Sequence, residues 1–362
     1  MAKVLNLRSL ENRFNFNTRV DTYIDCDGNQ SVMRWIPPFR ACRALTSLGA
    51  TATPSNTVGD WFHPADIPSG AVLNTDYDVT DMGGWWADHY LCSSPDASRS
   101  SMGTLANGST VKAYVSQPGV APRADQTIAH FKTYLATRFS TGGFAGQVTA
   151  TGWAGKGGLM TDAHWHELWI WTRINRWLLR GNTNGYNAAN HIPQWHGNAN
   201  DIGTLDGAQS SFYGTSITGG GGAEWEVPLS DFCGNRWEFT DGLRLYNNAV
   251  YTAGKTINPP GNYADAAYTA TGLSISGISS GQSVASYRTE ASLKLHGIPA
   301  SGIAAGTGPM DGQGFWVTAS GEMIALRGGD SANAGQCPGA LNLSSGPSNA
   351  AWGIGARAVL VP

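Results

Sequence analysis

Leu326-Arg327-Gly328-Gly329 and, at the far end of the chain, Ile354-Gly355-Ala356-Arg357-Ala358-Val359-Leu360-Val361-Pro362 enclose the stretch whose reading decides this protein. Between the arginine-diglycine and the last apolar run lie about two dozen small or polar residues, far more than a hairpin turn uses. Asp330, Ser331, Asn333, Gln336, Asn342, Ser344, Ser345, Ser348 and Asn349 fill the interval, with Trp352 as its large ring. Such a segment has too little apolar surface to offset its own ordering entropy, so it cannot be core. Yet strand-like runs flank it, Met323-Ile324-Ala325-Leu326 before and Ala358-Val359-Leu360-Val361 after. A polar surface anchored at both ends into a sheet is how a binding face is built.

The rest of the composition fits a loop-rich fold. Of 362 residues 41% are hydrophobic, enough for a core, but only 14% are charged, well under the usual quarter. The 47 glycines and 14 tryptophans predict turns pinned by buried rings and not long helices. A net charge of −3 leaves no basic stripe for a phosphate backbone, which argues against nucleic acid. The five cysteines, Cys26, Cys42, Cys92, Cys233 and Cys337, form no C-x-x-C pair, so neither a zinc knuckle nor a thioredoxin motif is available. Met1-Ala2-Lys3-Val4-Leu5 lacks the apolar run of a signal peptide, and no stretch is long and apolar enough to enter a membrane. The expectation is a chain made soluble in a cytoplasm and carried outward, if it works there, by another route.

Working back along the chain, Phe14, Phe16, Thr18, Val20, Thr22 and Ile24 alternate with polar residues, and Val32 to Ile36 returns after a break at residues 25 to 29, which predicts a hairpin. The Asp25-Cys26-Asp27-Gly28-Asn29 break is turn chemistry and not a calcium loop, since Gln30 and Ile36 stand where an EF-hand needs glycine and glutamate. Residues 47 to 120 read as mostly loop with short strands hidden among them. Ile128, Phe131 and Leu135 predict a helix capped by Asp125. A second helix begins at Thr161. Ile170, Trp171, Ile174, Trp177 and Leu178 fall on one side of it and Trp165, Leu168 and Trp169 on the other, so it lies between two layers. Trp225-Glu226-Val227, Arg236 to Phe239, Gly242 to Leu245 and Phe315 to Val317 read as short strands. Without βαβ alternation a doubly wound sheet is unsupported.

Three chemical motifs dissolve on inspection. Gly277-Ile278-Ser279-Ser280-Gly281 has the form of a nucleophile elbow, but the histidine after it, His296, precedes Asp311 and Asp330, the reverse of that class. His164 and His166 project about 200° apart on a helix and cannot share an ion. Cys337 has no neighbouring histidine or cation in sequence to lower its pKa. No catalytic residue, metal ligand or cofactor site is assigned.

A family likeness emerges from the motifs in order. Gly157-Gly158-Leu159-Met160-Thr161-Asp162-Ala163-His164-Trp165, Arg180-Gly181-Asn182-Thr183-Asn184-Gly185, Gly203-Thr204-Leu205-Asp206-Gly207 and Cys233-Gly234-Asn235-Arg236-Trp237-Glu238-Phe239 through Leu245 resemble segments of phage and prophage proteins with the C-type lectin fold, in the subgroup of the formylglycine-generating enzyme. Arg327-Gly328-Gly329, Ala340-Leu341-Asn342-Leu343, Pro347-Ser348-Asn349 and Ile354-Gly355-Ala356-Arg357 resemble the variable region of proteins diversified by diversity-generating retroelements, phage tropism determinants among them. The chain departs from that pattern at His164, Ala356 and Asp330-Ser331, where the family has Glu, Phe and often Trp.

The resemblance implies an α+β, C-type-lectin-like fold of small antiparallel sheets, two main helices and long ordered loops. Residues 1–30 would be an extension carrying a strand, 31–362 the lectin-like domain and 326–362 its ligand-binding segment. It implies a ligand-binding set of Asp330, Ser331, Asn333, Gln336, Cys337, Asn342, Ser344, Ser345, Asn349, Ala351, Trp352 and Gly353. Arg327, Gly328, Gly329, Leu341, Leu343, Ile354 and Arg357 would hold it. The expected partner is a protein or glycan receptor on a target cell, met by a virion tail or cell-surface protein that can oligomerise. A copper oxidase using Cys233 and Cys337, and a purely structural virion component, are the alternatives.

Overall fold

The structure is a computed structural model that describes residues 20–24, 29–45, 59–62, 64–66, 72–98, 101–104, 113–117, 120–140, 156–174, 229, 232, 236–278, 280, 286–287, 296–301, 314–329 and 339–361. Two sheets carry the architecture. In the first, β1 (Val20–Ile24), β2 (Gln30–Ile36), β6 (Trp85–Asp88), β19 (Ala358–Leu360) and β9 (Gly157–Leu159) lie side by side in that order, each pair antiparallel. The predicted hairpin is β1–β2, with Val20 opposite Arg34 and Ile24 opposite Gln30. The alternation upstream of residue 20 lies outside the described residues. β19 is thus a central strand, hydrogen-bonded on both edges.

The second sheet runs β12 (Thr269–Ser274), β11 (Ala249–Thr252), β10 (Trp237–Tyr246), β16 (Glu322–Arg327), β17 (Leu341–Ser345) and β15 (Phe315–Val317), with β18 (Ile354–Gly355) also paired to β10. It is not wholly antiparallel as expected, because β15 runs parallel to β17 and β18 parallel to β10. Both short strands follow long connections instead of tight turns, which frees their direction. Three strands, β3 (Phe39–Leu45), β4 (Gly59–Phe62) and β5 (Val72–Met82), form a further sheet. Two small ladders join β7 (Cys92–Ser93) to β8 (Val115–Ser116) and β13 (Ser286–Tyr287) to β14 (Pro299–Ser301). The 47–120 region therefore holds more strand than its composition suggested. β5 alone spans 11 residues.

Among the described residues there are two α-helices. The first, α1 (Ile128–Arg138), buries Ile128, Phe131 and Leu135 as the spacing predicted. Its cap is Thr127 and not Asp125: Thr127 is extended and accepts from His130 N–H, whereas Asp125 turns left-handed at φ 56° outside the helix. The second, α2 (Asp162–Ile174), is capped by the Thr161 hydroxyl on His164 N–H at 3.2 Å. Every residue of α2 from Asp162 to Trp171 is buried, which bears out its place between layers.

β10 explains how two cores share one strand. Trp237 and Phe239 join the α1 cluster, while Leu243 and Leu245 join the α2 cluster. Between Phe239 and Arg244 five steps on β10 oppose two on β16, from Leu326 to Ile324. An odd number of extra residues turns the alternation over, so odd-numbered side chains pass from one layer to the other. Gly242 makes the bulge possible, with φ of 80° and Gly254 O so close that a Cβ would sit 2.9 Å from it.

Candidate ligand-binding face

The face begins where β16 ends. Arg327 is fully buried and meets Asp162, the first residue of α2, through Nε at 2.7 Å and Nη2 at 3.1 Å. Its guanidinium also donates to the His296 carbonyl, and to Gly339 O at 3.4 Å. Burial works against charge on Asp162, but Arg327 beside it and hydrogen bonds from His296 and Arg327 hold its pKa well below the usual carboxylate range. A carboxylate in the first turn is further favoured by the helix dipole. Gly328 and Gly329 then leave the strand at φ 82° each, and a Cβ on Gly328 would press on the Trp165 ring at 3.1 Å. The arginine ties the strand to the helix, and the glycines turn the chain away from both.

The other end is closed in the same way. Arg357, also fully buried, makes Nε and Nη2 bonds to both Glu238 carboxylate oxygens at 2.7–2.9 Å and donates to His89 O at 3.1 Å. Ala358 N–H donates to Asp88, whose carboxylate takes a bidentate pair from Arg138 of α1 at 2.6 and 2.8 Å. Both brackets of the terminal segment are therefore buried ion pairs to distant elements. Such pairs cost desolvation, and their value lies in fixing one geometry.

Between the brackets, inward and outward residues alternate. Leu341, Leu343 and Ser345 point in, and Asn342 and Ser344 point out. Asn342 Oδ1 accepts from Ser344 N–H at 2.8 Å and from its hydroxyl at 2.6 Å. Asn349 closes the next turn, its N–H on Gly346 O at 3.0 Å and its Nδ2 on Ser345 Oγ at 3.0 Å. Three successive carbonyls are then held from outside the turn: Ala351 O takes N–H groups of Asp125 and Ile354, Trp352 O takes the Arg236 guanidinium, and Gly353 O takes Trp237 N–H. The Trp352 side chain nonetheless stands 50% exposed, the exposed large apolar group among the described residues. A fixed backbone under a free indole is the arrangement this segment achieves.

Of the residues assigned from sequence, the structure brings Asn342, Ser344, Asn349, Ala351 and Trp352 to this surface. Ser345, 8% exposed, and Gly353, buried, lie beneath it as support. Asp330, Ser331, Asn333, Gln336 and Cys337 fall outside the described residues, as do Cys233 and the motifs at 180–185 and 203–207. Pro347, Ser348 and Ala350 are exposed beside Trp352 and complete the displayed set. Of the elbow motif, Gly277 sits in a turn at φ 84° and the exposed Ser280 hydroxyl bonds both N–H and C=O of Val317, while Ser279 and Gly281 lie outside the described residues.

One constellation escaped sequence reading because its members lie far apart in the chain. His296 Nδ1 is 2.9 Å from Asp162 Oδ2, and its Nε2 is 2.6 Å from Thr252 Oγ1. His164, by contrast, is neutral packing: burial, with Lys255 adding to it, pushes its pKa down to about 3, and its Nδ1 bonds Thr161 Oγ1 at 2.7 Å. Among the described residues no group of three or more His, Cys, Asp or Glu could hold a metal ion. No helix among them is long and apolar enough to cross a membrane.

No protein-family profile and no curated protein matches the chain. Among solved structures, PvdO from Pseudomonas aeruginosa superposes with a TM-score of 0.39 at 12% identity over 96% of this chain and 99% of its own. The P3c variant of the major tropism determinant gives 0.30 at 14% identity, covering 97% and 83%. The U1 variant gives 0.29 at 12%, covering 97% and 82%. At TM-scores below 0.5 these likenesses establish neither the subgroup nor an activity.

Proposed function

We propose that this chain is a receptor-binding protein that displays residues 342–352 from a C-type-lectin-like scaffold, encoded by a phage or prophage and carried on a virion tail or cell surface. The observation that supports it is Trp352: its carbonyl and those on either side are each held by another element, while its indole faces solvent. Isolated exposed apolar side chains are ordinary. An indole on a rigid, otherwise polar loop is pre-organised to bind, because no loop entropy is lost on contact. Residues 31–362 form one lectin-like domain in this reading, with 1–30 as an extension. The partner is a protein or glycan receptor, and the terminal face has no catalytic role.

The polar, outward residues are also the kind a retroelement can rewrite without disturbing a core, since surface substitutions away from packed or bonded groups usually cost little. A near-copy of the gene's 3′ end beside a reverse-transcriptase gene would support diversification. The absence of both would remove it.

Binding is tested by presenting the protein to immobilised bacterial surface glycans and to whole fixed bacteria, then comparing Trp352→Ala. Covering the exposed part of an indole contributes about 2 kcal/mol, so Trp352→Ala weakens binding about 30-fold at unchanged melting temperature. A variant that binds as well as the parent, or that melts far lower, overturns the assignment.

A further inference from the structure

We propose that Thr252, His296 and Asp162 form an acyl-transfer site, with the Thr252 hydroxyl as nucleophile toward small esters. The proton positions follow from the surroundings. Arg327 holds Asp162 as a carboxylate, which can only accept, so His296 Nδ1 must carry the hydrogen across their 2.9 Å contact. The neutral ring then has its lone pair on Nε2, which faces Thr252 Oγ1 at 2.6 Å. Gly254 N–H donates to the same hydroxyl oxygen at 2.9 Å, so the hydroxyl hydrogen is directed to the imidazole. The base His296 therefore stands within hydrogen-bond reach of both its orienting acid and the hydroxyl, the arrangement that activates an oxygen nucleophile.

Access follows from position. His296 and Asp162 are buried, but Thr252 ends an edge-proximal strand and is half-buried. Two residues on, a Cβ placed on Gly254 would meet no atom of the described residues within 4 Å. Gly254 adopts φ 57°, which turns the chain as it leaves β11 so that its N–H meets the Thr252 hydroxyl oxygen. A secondary hydroxyl favours a short, unhindered acyl group.

In the reaction, Thr252 Oγ1 attacks the ester carbonyl carbon as its proton passes to His296 Nε2. The C–O bond to the alcohol breaks, and the departing oxygen takes that proton. Water then attacks the threonyl ester, giving one proton to Nε2, which returns it to Thr252 Oγ1 as the acid leaves. Ester and water become acid and alcohol, with no redox change. Asp162 is a positioning residue: it fixes the ring and stabilises the imidazolium.

The test uses the full chain and p-nitrophenyl acetate, following p-nitrophenolate release and mapping acetyl groups by peptide mass spectrometry. The expected result is acetyl on Thr252 and release about 100-fold faster than from Thr252→Val, the scale of general-base assistance. Thr252→Ser, which keeps the hydroxyl, retains labelling at that position. Circular dichroism melts show whether Thr252→Val is folded; if it is not, the Thr252→Ser labelling and the wild-type peptide map decide alone. Acetyl found only on lysines, or release by folded Thr252→Val at the wild-type rate, overturns the proposal.

Discussion

Replacing Asp162 with asparagine removes one charge and almost no volume from the junction beneath the terminal segment. The carboxylate takes two bonds from Arg327, at 2.7 and 3.1 Å, one from His296 at 2.9 Å and a longer one from Thr240 at 3.3 Å. All of this is buried, so solvent cannot replace what the substitution takes away. Leaving a buried arginine without its counter-charge costs about 3–5 kcal/mol, against a total stability of about 5–15 kcal/mol for folded domains. Asp162→Asn should therefore lower the urea midpoint strongly, measured by tryptophan fluorescence and circular dichroism together. The decisive comparison is a double-mutant cycle with Arg327→Met. Once the asparagine is present the arginine is itself a liability, so the double variant should be more stable than the sum of the singles predicts by about 1–3 kcal/mol. Strict additivity, or a cost under about 1 kcal/mol for Asp162→Asn, would refute the claim that this pair fixes the base of the face.

Gly157→Ala should destabilise by about 1–3 kcal/mol, because its new Cβ would intrude on the Phe139 ring; calorimetry should show the loss and a partial recovery when Phe139 is also replaced by Leu. Acid should erode stability in two stages. His164 stays neutral in the fold down to about 3 but takes a proton in the unfolded chain below about 6.5, so stability falls as pH drops through that interval. Asp162, held below its unfolded pKa of 3.8, adds a second loss at lower pH; urea midpoints across pH should show both, with the first flattened in His164→Gln.

How much of this the sequence carries depends on the range of each signal. The β1–β2 hairpin and the two helices were legible because alternation and three- to four-residue spacing are local. The sequence points to Asp125 as the cap of α1 where the structure uses Thr127, because both are good capping types and the difference lies in backbone geometry. β5 went unassigned although Leu73, Thr75, Tyr77 and Val79 alternate with polar residues, since its acidic and polar half depresses every strand preference. Arg327 and Arg357 were recognisable as residues that pair, but not their partners, which lie 165 and 119 positions away. The same distance problem hid Thr252, His296 and Asp162. At the face, the β17 alternation of Leu341 and Leu343 with Asn342 and Ser344 was readable. The burial of Ser345 and Gly353 was not, because small residues serve equally well above or below a surface.

Residues 341–357 should divide into a rigid frame and a replaceable display, a division that can be measured without knowing the receptor. Saturation mutagenesis of the segment, with folded protein on the yeast surface scored by protease resistance, reads it position by position. Asn342, Ser344, Pro347, Ser348, Ala350 and Trp352 should accept most substitutions, while Leu341, Leu343, Ile354, Ala356 and Arg357 should accept few. Intolerance at Trp352 and Ser344 equal to that at Leu343 and Arg357 would mean that the segment is core and not a display face.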